Sequence, residues 1–317
     1  MVKLPVALDF AAGIGTIEPM ARVAVITNPV AGRGHGAKVR PLVLTELKRL
    51  FPDIELLESH SPGDATRLAR ASDAGLVIAV GGDGTIREVA AGLVGKTTTM
   101  AIVPAGSGND FIKTLGIPAD AIEACRLAAQ GRARPVDAVQ VTARSGSTES
   151  SFVYVNAAGF GFDARVVAEA RKSSHLRGLP LYVAAVFRAV GEYRCPLVRI
   201  TVNDRTWEQR VLLIAAANGR FYGGGMRIAP DAEPDDGMLD VCVADELGRF
   251  AIYRALPRLI KGTHISMKEV AMHRAAKLEL DFSEPVMVQL DGDLLPGSSL
   301  NHFAIQILPA ALRVITP

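Results

Sequence analysis

The sequence has 317 residues, of which 49% are hydrophobic, 21% charged and 5% aromatic; at about 150 residues per domain this predicts two domains, each able to bury a core. Thirty-five Lys and Arg against 33 Asp and Glu leave a formal charge of +2, which excludes a chain whose main work is coating nucleic acid, and the apolar content excludes disorder. Cys125, Cys195 and Cys242 form no close pair, so neither a disulfide framework nor a zinc knuckle is available.

Residues 1–20 carry no clear period, and Met20 stands directly before the first good strand; a start at Met20 is the plain account of this leader. From Arg22 the pattern is regular. Strand Arg22–Thr27 is followed by a Gly-rich loop and a helix-like run, Ala37–Leu50. Strand Ile54–Glu58, helix Asp64–Ala71, strand Leu76–Val80, helix Ile86–Leu93, strand Met100–Val103 and helix Asp120–Gln130 follow. Strands alternating with helices predict a parallel sheet with helices on both faces. After about Pro135 the texture changes. Segments Asp137–Thr142, Phe152–Asn156, Leu197–Val202, Val211–Ala216, Leu239–Ala244, Lys277–Phe282 and Val286–Leu290 read as strands joined by turns, with helical stretches at Arg165–Ser173 and Leu247–Lys261. This predicts a β-rich sandwich or barrel-like second domain of mixed pairing, with Arg144–Ser151 as a hairpin connection inside it.

The mean hydropathy of +0.24 requires a test for a membrane span. The longest uncharged stretch, Leu294–Leu312, is interrupted by Pro296, Gly297, Ser298, Ser299, Asn301 and Pro309, and no run reaches the roughly 20 residues a spanning helix needs. The N-terminus lacks a basic-then-apolar signal layout, which predicts a cytoplasmic protein. Contact with a membrane surface is not excluded.

Two nucleotide motifs match by letter. Ala90–Thr97 ends in Gly-Lys-Thr, but a phosphate-binding loop needs a strand before it and a helix after it, and here the order is reversed. Gly32–Ala37 fits the Gly-x-Gly-x-x-[Gly/Ala] pattern after a strand, with Glu58 as a ribose-binding acid. Asn28 to Gly32 lengthens what should be a tight turn, so an NAD(P)-dependent oxidoreductase ranks below the reading that follows.

Gly81-Gly82-Asp83-Gly84-Thr85 lies directly between the most buried-looking strand and a helix. Its glycines let the backbone approach a bulky anion, and the helix offers free N–H groups to phosphate. An Asp inside an anion site is costly unless a cation bridges it, which points to Mg²⁺ with a nucleotide. Pro104–Asp110, with Ser107 and Asn109 as donors, repeats the design after the next strand. The C-terminal ends of neighbouring parallel strands share one edge, so these loops and Asn28–Gly36 predict one phosphate site. Asp291-Gly292-Asp293, directly after a strand, is the best catalytic pair, since phosphoryl transfer needs charge neutralisation and a base near the acceptor hydroxyl.

GGDGT, PAGSGNDF, NAAGFGFDA and APDAEPDDGMLDV, in that order, resemble the diacylglycerol kinase catalytic-domain family, especially its soluble bacterial lipid kinases. The resemblance runs from about residue 22 to the C-terminus. It implies that Asn28, Pro29 and Gly32 belong to a first nucleotide loop and that Ser59 stands where a Thr often contacts ATP. It also implies that Gly81, Gly82, Asp83, Gly84 and Thr85 hold the ATP phosphates, with Ser107 replacing a common Thr and Asn109 beside it. A structural Mg²⁺ would take the Asp236 carboxylate and the Glu233 and Met238 carbonyls. Two departures stand out: Arg87, where Asn or a small polar residue is usual, and Asp293, where Glu is usual.

Leu247–Gly262 carries Arg249, Arg254, Arg258 and Lys261, and the last three fall on one helical face opposite Ile252, Tyr253, Leu256, Leu259 and Ile260. The apolar face is expected to pack on the sheet, and the basic face to attract anionic headgroups. Arg171-Lys172 with His175 to Arg177 is a second candidate contact. The expected protein is therefore an ATP- and Mg²⁺-dependent lipid kinase, peripheral on the inner face of the membrane, with a homodimer allowed. Its nucleotide-binding domain spans 21–136, its β-rich lipid-binding and catalytic domain 137–307, with about 308–317 returning to the first and the active site in the cleft between them. Asp83, Asp291 and Asp293 would carry the chemistry, and a diacylglycerol-like hydroxyl would accept the phosphoryl group. The alternatives are a nucleotide kinase of the NAD kinase type and a non-catalytic ATP-binding regulator.

Overall fold

Short apolar runs with no polar interruption build the N-terminal half: β1 (Val23–Thr27), β2 (Ile54–Glu58), β3 (Leu76–Gly81) and β4 (Thr99–Pro104). The computed structural model describes residues 22–29, 35–106, 108–145, 148–173, 176, 178–191, 193–295 and 300–317. β1, β3 and β4 are buried at every position, as strands covered on both faces must be. They pair in parallel in the order β2-β1-β3-β4. Helices α1 (His35–Leu50), α2 (Asp64–Ala71), α3 (Asp83–Leu93), α4 (Asp110–Leu115) and α5 (Ala121–Gln130) connect and follow them. α1 packs with α5 and α2 with α3. The second contact needs Gly92, whose added Cβ would come within 2.5 Å of the Thr66 carbonyl. α5 starts at Asp120, whose carboxylate accepts the Ile122 and Glu123 N–H groups, a helix cap worth about 1 kcal/mol.

The second half contains β5 (Arg132–Ser145), β6 (Thr148–Tyr154), β7 (Ala157–Gly161), α6 (Phe162–Arg171), α7 (Gly178–Ala189), β8 (Leu197–Val202), β9 (Arg205–Ala217), β10 (Leu239–Asp245), α8 (Arg249–Lys261), β11 (Val270–Ala275), β12 (Lys277–Phe282), β13 (Val288–Leu290), β14 (Asp293–Leu294) and β15 (His302–Thr316). The described strand pairs formed within this half are antiparallel. Mixed pairing is therefore corrected: its strands fold back on one another without parallel crossovers. The β5–β6 hairpin is formed as expected, with Ser145 opposite Thr148. β9 pairs β8 through Arg205–Arg210 and then β7 and β10 through its buried second half, so one strand passes from one layer of the sandwich to the other.

β15 joins the halves. Its first part pairs β12 and β5, and its end, Arg313–Val314, pairs in parallel with Thr99–Met100 of β4. A bulge between Leu308 and Leu312 accommodates Pro309, which has no N–H for a regular ladder. No helix among the described residues is long and apolar enough to cross a membrane.

Of the two letter-match motifs, Gly32 to Gly34 lie outside the described residues, and the rest forms ordinary contacts. Lys96 donates its ammonium to the Arg70 and Ser72 carbonyls, at 2.5 and 2.9 Å, and so closes the C-terminus of α2. Glu58 is ion-paired with Arg40 of α1.

Candidate active site

β3 gives way to α3 at Gly82, and the glycines there are demanded by contact. A Cβ on Gly81 would lie 2.4 Å from the Thr85 Cβ, and one on Gly106 would lie 2.5 Å from the Gly82 Cα. The β3–α3 and β4–α4 loops thus touch backbone to backbone. Asp83 completes the join: its carboxylate accepts the Asn109 and Asp110 N–H groups at 2.8 and 2.9 Å, at the start of α4. Burial, followed by the charges of Asp110 and Asp291, pushes its pKa up to about 7. Its two backbone hydrogen bonds oppose that rise without cancelling it.

Asp110 is itself buried. One oxygen pairs with Lys113 at 2.7 Å, and the other accepts the Gly224 N–H at 2.7 Å. Asp291 arrives from the far half, at φ 49°, and accepts three N–H groups: Val155 at 3.0 Å, Asn156 at 3.0 Å and Ala157 at 2.9 Å. A carboxylate has about four lone-pair directions, so Asp291 is held rigidly with capacity left for one more proton donor. Burial raises its pKa to about 6 against those three hydrogen bonds. Asp293 is more exposed and bridges two cations, Arg87 of α3 at 3.2 Å and Arg171 of α6 at 2.8 Å.

Two concavities meet at these carboxylates. One is a polar cleft lined by Asn28, His60–Gly63, Gly82–Thr85, Arg87, Gly106, Gly108, Arg171 and Asp293. The other is an apolar pocket running between α6, α7, β10 and α8, lined by Phe162, Val166, Val186, Leu213, Met226, Leu256 and Leu259, with Asp163, Gln289 and His264 among its few polar groups. Asp83, Asp291, Gly292, Val167 and Tyr182 border both. Inside the pocket, Asp163 accepts the Gln289 amide N–H at 3.2 Å, and burial lifts its pKa to about 7.

The structure brings together much of the expected nucleotide set and leaves some of it aside. Asn28, Gly82, Asp83, Gly84 and Thr85 line the cleft. Gly81 supports the turn from below, and Asn109 donates its side-chain N–H to the Gly106 carbonyl at 3.2 Å. Ser59 is buried, its N–H bonded to the Thr27 carbonyl at 2.9 Å, and its neighbours His60 to Gly63 line the cleft in its place. Pro29 is absent from the lining as well. Gly32, Ser107, the leader 1–20, His175 and Arg177 lie outside the described residues. Arg171, read as a membrane contact, turns toward Asp293. The apolar face of α8 packs on the sheet as expected, Ile252 and Leu256 being buried with Leu213, Cys242 and Ala244, and with Leu259 it also lines the pocket, while Arg254, Arg258 and Lys261 stay exposed.

The segment expected to bind a structural Mg²⁺ is arranged differently. Asp236 accepts the Met238 N–H at 2.9 Å with one oxygen, and its other oxygen is ion-paired with Arg274. The Glu233 side chain is exposed, and no three acidic, His or Cys side chains among the described residues are grouped to hold a metal. The buried Asp137 carboxylate fixes the turn by accepting the Gly237 and Ala310 N–H groups, both at 2.7 Å. In this fold the Asp236 charge is met by the Arg274 guanidinium, while the Glu233 and Met238 carbonyls named beside it are main-chain donors.

Asp163 and Tyr182 are site residues that sequence reasoning did not select; Asp110 was read only as the carboxylate of the Pro104–Asp110 loop, and Arg171 as a membrane contact. Asp110 had a signal, a carboxylate at the start of the apolar run Phe-Ile-x-x-Leu. Tyr182 had none, because an aromatic on an apolar helix reads as core.

Residues 22–141 match the diacylglycerol kinase catalytic domain, and residues 156–316 match the YegS C-terminal NAD kinase beta sandwich-like domain. The chain belongs to the diacylglycerol kinase catalytic-domain family. Within it, the chain is 30% identical over 309 residues to a diacylglycerol kinase of Mycobacterium tuberculosis, covering 94% of this chain and 96% of the relative. It is 28% identical to a diacylglycerol kinase of Bacillus subtilis, covering 90% and 94%. The fold matches the crystal structure of a diacylglycerol kinase from Bacillus anthracis with a TM-score of 0.70 at 24% identity, covering 95% and 98% of the two chains. Yeast NADH kinase, crystallised with NADH, shares the fold at a TM-score of 0.56 and 10% identity, covering 94% and 84%. That second likeness is one of architecture alone. In the family's terms, the matched domains place the GGDGT and PAGSGND loops in the first unit and the Asp291–Asp293 turn in the second.

Proposed function

We propose that the protein transfers the γ-phosphoryl group of ATP to a hydroxyl of a lipid, with a diacylglycerol-like acceptor. One observation carries this reading: a polar cleft and an apolar pocket share Asp83 and Asp291 in their walls. Such a junction suits a water-soluble phosphate donor on one side and an acyl chain on the other. The names of the relatives support the same class.

ATP would enter the polar cleft with its phosphates over Gly82–Thr85, where the glycine backbone and the first turn of α3 offer N–H groups. The lipid would lie in the apolar pocket with its hydroxyl at the junction. Asp291 would accept the hydroxyl proton as the oxygen attacks phosphorus. Its pKa near 6 keeps it ionised at neutral pH while leaving it basic enough for the transfer. Asp83 and Asp110 would hold a divalent cation with the phosphates, since their close like charges favour one, and that cation supplies charge neutralisation. Tyr182, bordering both concavities, would separate water from the reacting oxygens. Exposed Phe250, Arg254, Arg258 and Lys261 on α8 would bring the pocket to an anionic membrane surface, each cation near it adding about 1 kcal/mol.

The test is transfer of radiolabel from γ-labelled ATP to a lipid panel in mixed micelles, with NAD as a control acceptor. Labelled phosphatidic acid from diacylglycerol is expected. Labelled NADP, or ATP binding with no labelled lipid across the panel, would overturn the reading.

A further inference from the structure

The two departures from the family pattern touch each other. Arg87 stands where a small polar residue is usual and Asp293 where Glu is usual, and in the fold Arg87 Nη2 lies 3.2 Å from Asp293 Oδ2. Arg171 Nη2 reaches the other oxygen at 2.8 Å. Each oxygen of one carboxylate is thus held by a different guanidinium, one from α3 in the parallel half and one from the end of α6 in the antiparallel half.

The place where this occurs is informative. Asp293 Oδ2 lies 2.6 Å from where a Cβ on Gly84 would be, so the carboxylate rests on the first turn of α3, in the loop that faces the polar cleft. Helix N-termini favour anions, and guanidinium forks match phosphate as well as carboxylate. Arg87 also keeps its Nε buried without a hydrogen-bond partner, a donor that a single carboxylate does not satisfy. Asp293 and Arg171 are 43% and 49% exposed, and ion pairs so open to water are weakly held. A multiply charged tetrahedral anion has more oxygens and more charge than the carboxylate.

We propose that Arg87 and Arg171 form a two-arginine receptor for the phosphoryl group, and that Asp293 fills it as an internal stand-in until phosphate displaces it. The proposal rests on the kinase reading for the identity of the phosphate donor, while the anion site itself does not require it. Asp293 is then a competitor for the arginines, and the proton acceptor is Asp291.

Isothermal titration of the full chain with tripolyphosphate, at low ionic strength and without metal or lipid, tests this directly. Arg87→Gln and Arg171→Gln are each expected to weaken binding about tenfold, as loss of a charge-assisted contact does. Asp293→Asn, which keeps the shape and removes the competing charge, is expected to tighten it several-fold. The gain should shrink in the Arg87→Gln background, because the stand-in then has less to vacate. Asp293→Asn binding tripolyphosphate no more tightly than the parent, in a protein with an unchanged circular dichroism spectrum, would overturn the proposal. So would arginine variants that bind as the parent does. Lipid phosphorylation by the parent, assayed in parallel, separates the two readings: absent transfer with the tripolyphosphate pattern intact removes the kinase and leaves the receptor.

Discussion

The carboxylates at the junction and those of the turn at residues 231–240 are both dense acidic clusters, and the fold treats them in opposite ways. Asp83, Asp110 and Asp291 are held mainly by six backbone N–H groups, with Lys113 paired to Asp110 and the Arg87 charge acting on Asp291. Asp235 and Asp236 are paired with Arg134 and Arg274. Backbone dipoles position a charge without neutralising it, and burial, which those bonds only partly oppose, lifts Asp83 and Asp291 to about 7 and 6. A guanidinium cancels the charge where it stands. The first arrangement suits a site that must receive a proton, a cation or a phosphate, and the second suits a turn that must only stay folded.

The sharpest break in this comparison is Asp291→Asn. It preserves shape and removes the proton acceptor, and we expect lipid phosphorylation to fall by about 10²–10⁴-fold in the radiolabel assay, with circular dichroism unchanged. Equal activity would return the base to another group. Gly106→Ala attacks the loop contact that aligns Asp83. Its Cβ would press on the Gly82 backbone at 2.5 Å, and overpacking of this kind costs about 1–3 kcal/mol. A lowered Tm is expected; an unshifted Tm would show that the loops give way freely.

The pH dependence of stability separates dipole-held from cation-held carboxylates. The folded-state pKa of Asp83, about 7, lies above the unfolded value of about 3.9, so protonation favours the folded state. The contribution is fully present below about pH 4 and is lost as the pH rises through 7. Asp83→Asn should therefore gain Tm relative to the parent as the pH goes from 4 to 7.5, and a constant difference would contradict the raised pKa. The smallest effect belongs to the turn. Arg274→Gln removes a partly exposed pair worth about 0–1 kcal/mol, and we expect a slight fall in Tm by scanning calorimetry, with EDTA leaving the parent unchanged. A large loss with EDTA would restore a metal to that turn.

The parallel half was legible because buried strands such as Leu76–Val80 are unbroken apolar runs, and because glycine loops mark where strands end. The cleft loops were legible for the same reason. The return of about 308–317 to the first domain was expected, while β15 as one continuous strand was hidden: Pro309 breaks its apolar run, and the bulge that tolerates Pro309 is a tertiary feature. β7 was missed because Ala-Ala-Gly-Phe-Gly has little strand propensity, and its conformation comes from pairing with β9 and β13. The pairing of Asp293 with Arg87 and Arg171 joins positions far apart in the chain, and no local pattern encodes it. Asp236 was legible as an acid needing a partner, while the identity of that partner depended on the register that places Arg274 on the neighbouring strand, opposite Asp240.

The strand that stitches the two halves together also sets an order of assembly. β4 has β3 on one side and the end of β15 on the other, and β15 is the last strand in chain order. During synthesis the open side of β4 stays unpaired until nearly everything downstream has emerged. An unpaired hydrophobic edge of that kind is a nucleus for wrong associations. Truncation before Arg313 should therefore convert a folding chain into an aggregating one, even though it removes no residue of the cleft.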